Sequence, residues 1–84
     1  MGNMNEYLLD TISRLSHFDV RSISMETPLT HLSIDSVTLF SIVSSVESVY
    51  GFELSASDTA DIFKAQLVGD LATLLQRAKD TARL

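Results

Sequence analysis

In the segment Leu32-Ser33-Ile34-Asp35-Ser36-Val37 an acid and a hydroxyl stand side by side, just ahead of a long apolar run. Aspartate is a good helix N-cap, because its carboxylate accepts the orphan N–H groups of the first turn. With Asp35 as the cap, Ser36 becomes the first helical residue and its hydroxyl lies exposed at the helix end. The positive end of the helix dipole favours negative charge, so a phosphate ester on Ser36 is well placed there. The plainer role for the pair is capping alone.

Other chemistry finds less support. The two histidines, His17 and His31, stand in no metal-ligand spacing and read as loop residues. Asp58 and Asp61 lack the order of a calcium-binding loop and read as first-turn helix charges. The three glycines make no phosphate-cradling loop. Without cysteine there is no disulfide, thiolate metal site or cysteine nucleophile on the chain. A Ser-His-Asp set can be assembled on paper, but 84 residues leave little room for a cleft and an oxyanion hole. The chain is therefore not expected to be an enzyme.

The elements that must position Asp35 and Ser36 are helices. Met4, Tyr7, Leu8, Ile12 and Leu15 recur at spacings of three and four, which predicts a first helix over 3–15. Asn3 and Glu6 form a variant capping box at its start. The pattern then breaks from Ser16 to Ile34, around the single proline, Pro28. This long connection is expected to be ordered, with a short turn of helix. Phe18, Val20, Ile23, Leu29 and Leu32 would tack it to the core.

A second helix is expected from Ser36 to Tyr50. Val37, Phe40, Val43, Val46 and Tyr50 share one face, and Leu39, Ile42 and Val49 flank it. Gly51 is a natural left-handed stop. A short third helix follows over 57–63, capped by Ser57 or Asp58. The last runs from Val68 to Ala82 with Val68, Leu71, Leu74, Leu75 and Ala78 as its apolar stripe. Arg77, Lys79 and Arg83 sit near its negative end. These elements make one all-α domain spanning residues 1–84, a four-helix bundle with a long first connection.

Six basic residues against eleven acidic ones give a net charge of −5, which disfavours nucleic acid and favours basic protein surfaces. No apolar run is long enough to span a bilayer, and the N-terminus has no secretory signal. Gly2 is not in a myristoylation motif, since Glu6 occupies the position that needs Ser or Thr. A cytoplasmic, freestanding monomer is expected.

The motif Leu32-x-Ile34-Asp35-Ser36-Val37 resembles the attachment motif of the acyl carrier protein family, Leu-Gly-x-Asp-Ser-Leu. Thr27-Pro28-Leu29-Thr30-His31-Leu32 is similar to the end of that family's long loop. Val49-Tyr50-Gly51-Phe52-Glu53-Leu54 is similar to the family's ending of the second helix, and Val68-Gly69-Asp70-Leu71 to the start of its fourth. The matches are in order and cover nearly the whole chain.

The resemblance implies a bundle of acyl-carrier type and a 4′-phosphopantetheine arm on Ser36. A phosphopantetheinyl transferase would install the arm from coenzyme A. Asp35 would cap the helix and help present Ser36 to that transferase. The arm's thiol would carry acyl groups as thioesters between acyl-loading enzymes and acyl-transferring or condensing enzymes. Fatty-acid, polyketide and related lipid or secondary-metabolite biosynthesis use such carriers. A peptidyl or aminoacyl carrier is the alternative, and an unmodified carrier-like interaction module is another.

Several residues depart from the family pattern. Ser33 replaces its usual Gly, and Val37 its usual Leu. Leu67 stands where a hydroxyl cap is common, so a less clean start to the fourth helix is expected. The second helix, typically acidic, here carries Thr38, Ser41, Ser44, Ser45 and Ser48 with Glu47 as its only charge. Partner enzymes would then read Val37, Leu39 and Phe40, with Glu47, more by shape than by charge. That points to a specialised carrier rather than a housekeeping one. Val43, Val46, Ile62, Phe63, Leu71 and Leu75 could line a space for an acyl chain, but plain core packing explains them, as it does Phe40 and Tyr50.

Overall fold

A computed structural model describes residues 3–82, which form four α-helices: α1 (Met4–Ser16), α2 (Ser36–Tyr50), α3 (Ala56–Ile62) and α4 (Val68–Ala82). Two 3-10 turns, Val20–Ser22 and Leu29–Leu32, lie in the long connection between α1 and α2. Among the described residues there is no strand, and no helix is long and apolar enough to cross a membrane. This is the all-helical, acyl-carrier-type bundle that the apolar spacing and motif order predict. The readings made at Met1, Gly2 and Arg83 lie outside the described residues.

Each helix has a local reason to begin where it does. The Asn3 side chain accepts the Glu6 N–H at 2.9 Å, so the Asn3 half of the expected capping box is made. At the other end His17 takes a left-handed conformation (φ 65°) and closes α1 one residue later than expected. The third helix starts earlier than the sequence pattern places it, because Ser55 is the cap. The Asp58 N–H donates to the Ser55 hydroxyl at 3.0 Å, and the Asp58 carboxylate accepts the Ser55 N–H at 3.4 Å. Asp58 is thus the far partner of a reciprocal box rather than the cap itself.

Met4, Leu8 and Ile12 of α1 meet Val68, Leu71 and Leu75 of α4 in a core that α2 and the long loop complete. The stripe that α2 buries is Leu39, Ile42, Val43 and Val46. That differs from the expected face, since Val37, Phe40 and Val49 are 75%, 61% and 57% exposed. The physical reason is that α2 is apolar most of the way round. Several stripes satisfy a helical period, and packing against α1 selects among them. Phe40 is consequently a surface residue, and Tyr50 is half-buried. On α4, Ala72 joins the buried stripe and Leu74 is only half-buried. A polar link also ties α1 to α2. The Tyr7 and Ser45 hydroxyls lie 2.6 Å apart, and the Tyr7 ring meets Tyr50 edge-on at 5.8 Å.

The long connection is docked by backbone hydrogen bonds to the start of α4. The Leu29 N–H donates to the Gln66 carbonyl at 2.8 Å, beside an antiparallel bridge between Pro28 and Leu67. The Val68 N–H donates to the Thr27 carbonyl at 3.0 Å and the Gly69 N–H to that of Met25 at 2.7 Å. The Asp70 carboxylate accepts the N–H groups of Leu67 and Gln66 at 3.0 and 3.3 Å. The poorly capped start expected at Leu67 is therefore corrected: the Thr27 and Met25 carbonyls accept the first helical N–H groups, and Asp70 accepts those of the two residues ahead of the helix. Ile23, Leu29 and Leu32 bury themselves beneath this seam as expected, whereas Phe18 and Val20 stay 41% and 42% exposed.

Candidate functional site

The docked loop ends at the N-terminus of α2. Its last 3-10 turn stops at Ser33, which sits in the left-handed region with φ 54° and ψ 36°. This geometry explains why a glycine suits the position and why serine is strained there. Ser33→Gly is expected to stabilise the fold by about 0.5–1 kcal/mol, read as an increased urea midpoint at unchanged slope.

Two residues on, Asp35 is extended (φ −89°) and its carboxylate accepts the Thr38 N–H at 2.7 Å. Its main-chain carbonyl accepts the Leu39 N–H at 2.9 Å, so both oxygen types of Asp35 close the helix end. The Thr38 N–H holds the Asp35 carboxyl below the usual aspartate pKa. A depressed folded pKa stabilises above the unfolded value, and that support is lost as pH falls through the folded pKa. Asp35→Asn keeps a capping oxygen but cannot titrate. Its melting temperature is expected to match wild type near neutrality and to gain on wild type as pH drops below about 4. Parallel melts by circular dichroism across the acid range check this.

Ser36, the first residue of α2, is exposed, and so is Val37 beside it. One turn further along the helix, the Phe40 ring is exposed as well. Leu39, expected on the outer face, instead faces the core at 7% exposure. Glu47 is half-buried, and its carboxylate accepts the Leu54 N–H at 2.8 Å, fastening the connection between α2 and α3. The one charge on α2 is thus already engaged within the fold. His17 and His31 are exposed loop residues, as read from the sequence.

Three of the residues that the sequence offers as an acyl-chain lining, Val43, Ile62 and Phe63, meet at one small space, whereas Val46, Leu71 and Leu75 are plain core. A narrow, mostly enclosed crevice of about 40 Å³ lies between α2 and α3, walled by Phe40, Val43, Leu54, Ile62 and Phe63, with Glu47 and Thr59 completing the lining. Phe63, expected inside, is 45% exposed at this crevice. The available signal is its place just past the end of a short helix, where a side chain leaves the buried stripe.

An exposed serine thus stands at the head of a long helix in an all-helical bundle, behind a docked loop. A model of the phosphopantetheine attachment site family matches residues 6–75, and the chain belongs to that family. It is a carrier protein for covalently attached 4′-phosphopantetheine. No curated protein and no solved structure gives a significant match to the chain. The start of α2 fits such a group on physical grounds. It offers an exposed hydroxyl where first-turn N–H groups and the helix dipole favour a phosphate.

Proposed function

We propose that Ser36 is the attachment residue and that the chain ferries acyl groups as thioesters between separate biosynthetic enzymes. The observation that supports this best is the exposed Ser36 hydroxyl on the first residue of α2, within the family match. The arm supplies a thiol that the cysteine-free chain lacks. Asp35 holds the helix end in place and so fixes where the hydroxyl points when a phosphopantetheinyl transferase approaches. The chain itself catalyses no step.

Partners dock on the outer face of α2, over Val37 and Phe40. The Glu47 charge contributes little, because its carboxylate is tied to Leu54. A face of apolar and hydroxyl groups is read by shape, which suits a specialised acyl carrier with its own small set of enzymes. The test is intact-protein mass spectrometry after incubation with coenzyme A and a broad-specificity phosphopantetheinyl transferase. A gain of one phosphopantetheine group is expected. A folded chain with no gain, from this transferase and from extract of the native host alike, would overturn the reading.

A further inference from the structure

We propose that this carrier bears short acyl groups held at its surface and does not draw a long alkyl chain between its helices. The inference rests on the reading of Ser36 as the attachment residue. Ser36, Phe40 and Val43 follow one another at steps of four and three, so they share one side of α2. An arm leaving Ser36 along the helix meets Phe40 first, then the crevice between Phe40 and Phe63.

The crevice has room for little beyond a chain's end. Its volume is about 40 Å³, whereas a dry cavity that accepts benzene is roughly 150 Å³. On that scale it takes on the order of one or two carbon atoms. Its Ile62 wall is 1% exposed, and Ile42, Val46, Leu71 and Leu75 of the same core are wholly buried. Packing of that kind yields to an inserted chain only at a cost in stability.

Part of the crevice's wall is polar. The Glu47 carboxylate accepts the Leu54 N–H at 2.8 Å, and the Thr59 hydroxyl donates to the Ser55 carbonyl at 3.0 Å. A run of methylenes pushed past these groups would strip water from a carboxylate and pull open the connection that it fastens. The roomier hollow beside Ser44, Ser48 and Gly51 shares Glu47 and Leu54 with the crevice, so those two residues stand between them, and it is an open groove toward the far end of α2 from Ser36. Cargo therefore ends against the two phenylalanines, with its thioester in solvent.

The experiment loads the chain in three arms, from coenzyme A, acetyl-coenzyme A and octanoyl-coenzyme A, with the same transferase. Intact mass verifies each product. Thermal melts and methyl NMR spectra are then compared. The octanoyl form is expected to melt within about 1 °C of the acetyl form. The methyl signals of Ile42, Val46, Leu71 and Leu75 should stay in place while the ring signals of Phe40 and Phe63 shift. A rise of more than about 4 °C for the octanoyl form, with movement of those core methyls, would overturn the inference and leave the carrier reading intact. No mass gain even from coenzyme A would instead overturn the carrier reading, and this inference with it.

Discussion

Ser36→Ala is expected to abolish arm attachment outright while leaving the melting curve where it was. The fold does not depend on this hydroxyl. Ser36 is exposed, and the helix end is closed by the Asp35 carboxylate and carbonyl on Thr38 and Leu39. Alanine is also the better helix former, so the variant loses nothing in the first turn. The chemistry, by contrast, depends on the hydroxyl wholly. A phosphodiester needs an oxygen on the chain, and a methyl group offers none. The expected mass gain therefore falls from one phosphopantetheine group to zero. An undiminished gain in a folded variant would move the attachment to another hydroxyl, with Ser33 the first to examine.

Gly69→Ala has the largest expected effect on stability. Inside a helix this exchange usually gains about 1 kcal/mol, because alanine has less backbone freedom to lose. Here the new Cβ would lie 2.8 Å from the main-chain carbonyl oxygen of Met25. That oxygen is the acceptor for the Gly69 N–H at 2.7 Å, so relieving the clash also stretches the bond that docks the loop. The net result is a loss of about 1–3 kcal/mol, measured by urea unfolding. Gly51→Ala is the informative control. Gly51 has φ +68°, and a methyl group added there would meet no atom within 4 Å. Its cost of about 1 kcal/mol comes from backbone strain alone. If Gly69→Ala proves as stable as wild type, the close loop contact is not what requires glycine there.

What can be read from the sequence follows the range over which each cause acts. Asp35 and Ser36 are legible because capping acts between residues three apart, as it does at Asn3, and the Gly51 stop reaches only four residues back, to Glu47. The Ser55–Asp58 box lies within reach of the same reasoning. Ser57 and Asp58 are equally good caps by type, however, and choosing either sets the cap too late. The buried face of α2 is not legible. Val37, Phe40 and Val49 are as apolar as Leu39 and Ile42, and only contact with the other elements decides which of them turn inward. Nor is the start of α4. Its first N–H groups are satisfied by carbonyls of Met25 and Thr27, far upstream, and no local pattern announces such a partner.

That distant partnership has a consequence for timing. The segment that leads into Ser36 is held in place by hydrogen bonds to residues 66–69, synthesised well after it. A ribosome that has just made α2 has made the serine but not the support that aims it. On the proposed assignment of Ser36, the loop that leads into the site is fully docked only once the beginning of α4 has emerged and folded back. A chain cut short before α4 would keep the local Asp35 cap at the head of α2 and lose the hydrogen bonds that dock the loop ahead of it.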